Sequence, residues 1–236
     1  KLEILYKRIE KSEAMNLSIM IILFIIYSAI GWILEEINFL IVQKKLVNRG
    51  FLIGPYCPIY GCGSLLIIIF LNKYLDDPIT LFFMTVITCG ILEYLTSFLM
   101  EKLFKTRWWD YSKEKFNING RICLETLVLF GIGGLVISYL AQPFIMSILT
   151  LIPSHILNVL AIILSVIFIL DNIISFKIIL NFKQVAANLK KDCTEEITSR
   201  VREVLKKKSI FSNRLVKAFP NFKTMLRKKS DPSEEL

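Results

Sequence analysis

The sequence predicts an all-α, polytopic helical membrane protein of about five transmembrane helices, followed by a basic, amphipathic, helical C-terminal tail. Three observations predict it. First, 54% of the 236 residues are hydrophobic and the mean hydropathy is +0.57, which marks lipid as the main solvent and excludes an ordinary soluble enzyme. Second, charge-free runs recur at about the 20-residue length that crosses a bilayer. Third, the net charge of +9, from 29 Lys and Arg against 20 Asp and Glu, is segregated toward the C-terminus. Residues 183–236 hold 14 Lys and Arg against 7 Asp and Glu, so that most of the surplus follows the last apolar run.

The spans follow in order. Ala14 to Leu34 carries no charge and opens the first, expected over 15–42. Gly50 to Asn72 is also uncharged, but Gly54, Pro55, Pro58, Gly61 and Gly63 disfavour a straight helix in its first half. The second span is therefore expected over 56–72, with a broken or re-entrant entry at 51–60. Ile79 to Met100, interrupted only by Glu93, gives a third span over 79–101. Thr126 to Leu170 is long enough to cross twice, with Pro143 and Pro153 marking the expected break between spans at 121–141 and 156–180. The chain thus divides into a polar N-terminal segment (1–13), a transmembrane domain (14–181) and a basic tail (182–236).

Lys and Arg concentrate in short cytoplasmic loops. Lys44, Lys45 and Arg49 follow the first span, and Lys102, Lys105, Arg107, Lys113, Lys115 and Arg121 follow the third. The loop after the second span has only Lys73, and the connection around 142–155 has neither residue type. The basic loops and the tail are expected in the cytoplasm. Five spans then leave the N-terminus outside despite Lys1, Lys7, Arg8 and Lys11, so an additional span or a half-span at 51–60 is the alternative.

In the tail, Ile197, Val201, Val204 and Leu205, then Phe211, Leu215, Phe219, Phe222 and Leu226, recur near helical spacing among the charges. The pattern suits a helix lying on an anionic inner leaflet, or else a coiled-coil or partner-docking helix. Nucleic acid is not indicated, since no recognition motif accompanies the charge. The five cysteines (Cys57, Cys62, Cys89, Cys123, Cys193) form no C-x-x-C pair; they read as small buried hydrophobes rather than as a disulfide framework or metal site.

The informative side chains are those that lipid penalises. A charged group at a helix centre costs about 2.5–3.5 kcal/mol on insertion scales, so an intramembrane acid is expected to face a partner or a cavity. The first span ends in Gly31-Trp32-Ile33-Leu34-Glu35-Glu36, with Asn38 sharing a face with Glu35. The third carries Glu93 and Tyr94, then Ser97 and Glu101 at four-residue steps from Glu93, one polar stripe. The fourth opens with Gly120-Arg121-Ile122-Cys123-Leu124-Glu125, where Arg121 and Glu125 have the spacing of a helical ion pair. Arg121, or a proton, is also expected to resolve the charge of Glu93. Asp171, with Ser175 four residues on, and Lys177 near the end of the fifth span read as interfacial residues that snorkel or as members of a buried pair that fixes packing.

Two loops are unusual. Asn48 to Gly63 contains Gly54-Pro55-Tyr56-Cys57-Pro58-Ile59-Tyr60-Gly61, a composition found where discontinuous membrane segments expose backbone to ligand, and also where helices pack closely. The second combines Arg107-Trp108-Trp109-Asp110-Tyr111 with Asn117, Asn119 and Arg121; its tandem tryptophans read as an interfacial belt, but its hydrogen-bonding groups exceed what anchoring needs. Glu35, the Gly-Pro segment, Glu101, the Trp-Trp-Asp-Tyr loop and Arg121 all fall toward one face. That convergence suggests a cavity or docking site open to the cytoplasm, lined by Glu35, Glu93, Glu101, Trp109, Asp110, Tyr111, Asn119, Arg121 and Glu125. Gly54, Pro55, Pro58, Tyr60 and Gly61 form its structural turn.

At these residues the sequence resembles the ABC-transporter type IV family of CmpB-like integral membrane proteins, found mainly in low-GC Gram-positive bacteria. The resemblance runs from about Gly31 to Gly134. It rests jointly on Gly31-Trp32 to Glu35, Gly54-Pro55 to Gly61, Glu93-Tyr94, Glu101, Trp109-Asp110-Tyr111 and Asn119-Gly120-Arg121-Ile122. The basic tail is not part of the family pattern. The resemblance implies a permease-like role in a bacterial plasma membrane, without a cofactor. The chain contains no G-x-x-x-x-G-K-[ST] phosphate loop, so ATP hydrolysis would come from a separate subunit, met through residues 102–120. Five spans are few for a translocation path, so a homo-oligomer or second membrane subunit is expected as well.

Two rival readings stand beside this one. In the first, a membrane-embedded enzyme acts on a lipid-linked or phosphorylated substrate, with Glu93, Glu101 and Asp110 as acid and base and Arg121 as anion holder. Against it, the sequence offers no nucleophile-base pair or metal cluster, and its one histidine, His155, belongs to the opposite face. The second is a non-catalytic sensor or scaffold whose tail reads lipid charge or docks a partner.

Overall fold

A computed structural model describes residues 16–44, 50–104, 106–188 and 223–224. Helix α1 (Leu17–Gln43) starts at Asn16, whose side chain accepts the Ser18 N–H, and ends at Lys44 in the left-handed conformation. Residues 50–57 form no regular helix. Helix α2 (Pro58–Leu66) begins on a proline, whose fixed φ suits the first turn and whose missing N–H would have no intrahelical partner there. It continues through a π turn (Ile67–Leu71) and a 3-10 turn (Asn72–Tyr74).

Helix α3 (Pro78–Phe104) is capped by Asp77, whose carboxylate accepts the Ile79 and Thr80 N–H groups, each at 3.1 Å. Helix α4 (Leu124–Val136) runs through a second π turn (Ile137–Ala141) into α5 (Gln142–Leu149). Proline 143 does not break this span as expected: the helix widens just before it, accommodating the lost hydrogen bond and the crowding ring. The break falls instead at 150–153, and α6 (Ser154–Asn188) starts behind Pro153.

Among the described residues four spans are long and apolar enough to cross a membrane: Leu17–Ile41, Pro78–Phe104, Leu124–Leu149 and Ser154–Lys177. The predicted helical membrane class holds, with the fourth span running on to Leu149 and the fifth starting at Ser154, close to its expected place. The apolar helix Pro58–Tyr74 is shorter, roughly 25 Å at 1.5 Å per residue against about 30 Å of hydrocarbon.

Large apolar side chains point outward along the spans, including Ile37 and Ile41 of α1, Ile87 and Ile91 of α3, and Ile162 and Val166 of α6. In water such faces would be a fault; here they are the lipid surface, and they identify a membrane protein. The interior is small. Ile22, Leu23 and Tyr27 of α1 pack on Met146 and Leu149 of α5 and on Leu157 and Ala161 of α6. A second cluster joins Ile67 and Leu71 to Leu81 and Cys89.

Small residues set the helix spacing, as expected where packing rather than hydrophobicity drives association in lipid. Gly61 of α2 lies against Ser28 and the Phe24 backbone of α1, and Gly131 and Gly134 of α4 lie against Phe82 and Thr85 of α3. The expected tail helix falls largely outside the described residues, as do residues 1–13, Lys45, Asn48, Arg49, Lys105 and Cys193. Lys223–Thr224 is extended and pairs antiparallel with Thr106–Arg107, so the helical pattern read from the tail does not pass through those two residues.

A Cβ at Gly61 would meet the Phe24 carbonyl at 2.6 Å, whereas one at Gly133 meets nothing within 4 Å. Gly61→Ala is therefore expected to cost roughly 1–3 kcal/mol. Gly133→Ala is expected to be neutral or stabilising by up to about 1 kcal/mol; thermal unfolding of both variants in one detergent checks the contrast.

Candidate functional site

The polar groups gather at the end of the bundle formed by the last turns of α1 and α3, the start of α2 and the loop between α3 and α4. The stripe read on α3 faces that loop along its length. Glu101, in the last turn, accepts Arg107 Nε at 2.9 Å and Arg121 Nη1 at 3.1 Å on the same oxygen, Oε2. Arg107 Nη1 also lies 3.6 Å from Asp110 Oδ1. Arg121 donates to Ser97 Oγ at 3.3 Å and sits over the Tyr94 and Phe98 rings. Two arginines and two carboxylates thus make a compact, charge-balanced group, and Arg121 is 8% exposed within it.

Loop geometry delivers Arg121. Asn119 and Gly120 both take positive φ, and a Cβ on Gly120 would collide with Asp110 and Ser112. The Tyr111 N–H donates to Gly120 O at 2.8 Å, the Trp109 indole to Arg121 O at 3.1 Å, and the Asn119 amide to Tyr94 OH at 2.9 Å. Asp110 Oδ1 accepts the Ser112 N–H and its hydroxyl, closing the turn.

Deeper on α3, Glu93 is 7% exposed. The Tyr111 phenol donates to its Oε1 at 3.3 Å, and Thr126 Oγ1 of α4 lies 3.5 Å from Oε2. Burial, reinforced by the Glu93 and Glu35 carboxylates, pushes the Tyr111 phenol above its ordinary range and keeps it a donor. From the neighbouring pair of helices, Tyr60 donates to Glu35 Oε1 at 2.7 Å, and Gly31 leaves room for its ring.

A second polar group holds the irregular segment 50–57. Asp171 of α6 accepts the Ile53 N–H at 3.1 Å, the Gly54 N–H at 2.7 Å, the Tyr56 hydroxyl at 2.6 Å and the Ser175 hydroxyl at 2.8 Å. Beside it the Phe51 ring packs on Phe104, Trp108 and Phe176 at centroid distances of 5.5–5.9 Å.

Several sequence expectations are corrected. Arg121 and Glu125 do not form a helical pair: α4 starts at Leu124, Glu125 is exposed in its first turn, and Arg121 precedes the helix and turns to Glu101. Arg121 therefore does not neutralise Glu93. Asn38 keeps its i,i+3 spacing from Glu35 on α1 and is exposed. Trp108 is buried against Phe51 rather than presented as a belt residue, and Trp109, half-buried, donates its indole N–H to a loop carbonyl. Of the two readings of Asp171, its burial and its four donors favour the buried one. Gly54 is clamped by Asp171, Pro58 starts α2, Gly61 packs on α1, and Pro55 is exposed.

The sequence reading missed Thr126, Phe51, Phe104 and Phe176. Thr126 had a local signal, a hydroxyl three residues after the Cys123 cap. The aromatic cluster had none, because its members are distant in sequence.

The fold and site define a polytopic helical membrane protein with an ion-paired loop folded over one end of its bundle. The chain belongs to the family described as "Putative ABC-transporter type IV", which matches residues 22–176. That match extends past both ends of the Gly31–Gly134 resemblance and takes in Tyr27, Asp171 and Ser175. No curated protein and no solved structure matches the chain.

Removing Glu101 leaves two arginines without their shared acceptor. Glu101 is half-buried, so Glu101→Ala is expected to destabilise by about 1.5–3 kcal/mol, the range for hydrogen bonds to charged groups. The exposed Glu125→Ala is expected to stay within about 0.5 kcal/mol, and unfolding curves under identical conditions compare the two. Asp171→Asn replaces an acceptor oxygen with a donor facing N–H and O–H groups. It is expected to cost about 1.5–3 kcal/mol and to speed alkylation of Cys57, followed by mass spectrometry.

Proposed function

We propose that this chain is an integral membrane, permease-type component of a transporter in a bacterial plasma membrane, with its polar end and tail in the cytoplasm. The observation that carries the reading is the convergence of Glu35 from α1, Tyr60 from α2, Glu93 and Glu101 from α3, and Tyr111 and Arg121 from the loop. Family membership supports a transporter component in general. Glu35, Glu93, Glu101, Trp109, Asp110, Tyr111, Asn119 and Arg121 are proposed to line or brace a substrate cavity at that end.

The chain contains no nucleotide phosphate loop, so a separate ATPase subunit is proposed to supply hydrolysis. The loop is its proposed docking element, with Lys113, Glu114 and Lys115 exposed on its outer side. The translocation path is proposed to need a second copy of the chain or another membrane subunit. The tail's surplus of Lys and Arg is proposed to meet anionic lipid.

A photoreactive residue placed at Lys115 in native membranes tests the reading. It is expected to capture an ATPase subunit bearing a phosphate loop, identified by mass spectrometry. Adducts only to copies of this chain or to lipid-metabolising enzymes would sink it. Glu93→Gln is expected to insert normally yet abolish stimulation of the captured ATPase, and full stimulation in that variant would remove Glu93 from the site.

A further inference from the structure

Glu93 and Glu101 occupy one stripe of α3 but live in opposite electrostatic surroundings. Glu101 has two guanidinium groups on one oxygen, at 2.9 and 3.1 Å. Glu93 is more deeply buried, and its two partners among the described residues are both hydroxyls, those of Tyr111 and Thr126. The other titratable groups around it are Cys89 one turn earlier on α3, Glu35 from α1, and Cys123 and Tyr60 beside Tyr111. None of these is a cation. Among the described residues, an anion in this place would face a second carboxylate in a low-dielectric setting with no cation in contact with Glu93 itself.

The hydrogens can be counted. The Tyr111 phenol has one proton, and it goes to Glu93 Oε1 at 3.3 Å. The Thr126 hydroxyl also has one, and its nearest acceptor is not Glu93 but the Cys123 carbonyl at 3.0 Å. Thr126 Oγ1 accepts the Cys123 N–H at 3.4 Å, and a hydroxyl oxygen has two lone pairs. The other lone pair faces Glu93 Oε2 at 3.5 Å, and the Cys123 Sγ, a weak donor, lies 3.7 Å from the same hydroxyl oxygen. Two oxygens with no hydrogen between them repel; a proton on Glu93 turns that contact into a donated hydrogen bond.

We propose that Glu93 is a proton-binding site, a neutral carboxylic acid whose hydroxyl donates to Thr126 Oγ1 while its carbonyl oxygen accepts from the Tyr111 phenol. This names the ligand of the proposed permease site as a proton and rests on that reading only for its use in transport. The step it implies is minimal. The O–H bond of Glu93 breaks, the proton passes to water, and the electron pair stays on the carboxylate. Tyr111 and Thr126 are positioning residues that bias the two states.

Infrared spectroscopy of the purified full-length chain in lipid bilayers, titrated from about pH 6 to about pH 9, spans the range documented for buried carboxyls. A carboxylic-acid C=O band is expected at neutral pH, shifting in deuterated water, disappearing as the pH rises and missing in Glu93→Gln. Two further variants carry opposite signs. Tyr111→Phe removes a donor that favours the anion, so its band should persist about one pH unit higher. Thr126→Val removes the acceptor of the acid's proton, so its band should vanish about one pH unit lower.

A neutral-pH spectrum without a band that Glu93→Gln removes overturns the proposal. Loss of the band on adding Na⁺ or K⁺ at fixed pH overturns it in favour of a metal cation. A shift of Thr126→Val in the same direction as Tyr111→Phe also overturns it, since Thr126 would then be donating to an anion. Should Glu93→Gln fail to fold, the opposed shifts decide alone. The measurement needs neither substrate nor ATPase, so its failure is separate from failure of the cross-linking test.

Discussion

A bilayer offers no hydrogen bonds, and the remainder of this structure depends on how one short stretch of irregular backbone meets that constraint. Residues 50–57 are not helical, so their N–H groups lack the internal partners a helix provides. Asp171 replaces those partners with one carboxylate, which accepts two consecutive backbone amides as well as the Tyr56 phenol. Because Asp171 stands on α6 and the segment leads into α2, the same contact ties the last span to the second. The stretch that leads into the short α2 has the N–H groups of Ile53 and Gly54 taken by Asp171, that of Tyr56 by Gly54 O and that of Cys57 by Ser28 O.

With that end fixed, the loop between α3 and α4 has a surface to close upon. Phe51 of the clamped segment packs on Trp108 of the loop, and Phe104 and Phe176 complete the cluster. The loop's charges are then resolved locally, with Glu101 between Arg107 and Arg121, and Asp110 beside Arg107. A charge-balanced group of this kind adds little net stability over an apolar replacement but is costly to break at one member. Its value lies in fixing one arrangement of the loop, and Tyr111 is thereby placed over Glu93.

What the sequence made legible was whatever obeys local periodicity. Charge-free runs located the spans, four-residue steps placed Glu93, Ser97 and Glu101 on one face, and Gly and Pro announced the broken entry before α2. What it hid were choices between partners. Glu125 stood at helical spacing from Arg121, but the extended backbone of Cys123 separates Arg121 from the helix that starts at Leu124, and Glu101 is its partner instead. Asp171 looked interfacial because its acceptors' clients lie more than a hundred residues away in sequence. Proline 143 looked like a stop, yet a π turn absorbs it without ending the span. In each case a tertiary contact or a backbone adjustment overrode a sound local rule.

The stripe on α3 therefore separates two tasks that the sequence alone presents as one. Glu101, neutralised by arginine, can hold the loop but has no freedom to change its charge without releasing it. Glu93 faces hydroxyls instead, those of Tyr111 from the loop and Thr126 from α4, and no ion pair among the described residues fixes its charge. A membrane protein keeps an acid of the second kind at a cost that simple packing would remove, because Leu or Met would fill the same volume without an insertion penalty. The arrangement is intelligible if the ion-paired residues build the frame and Glu93 is the group the frame exists to position.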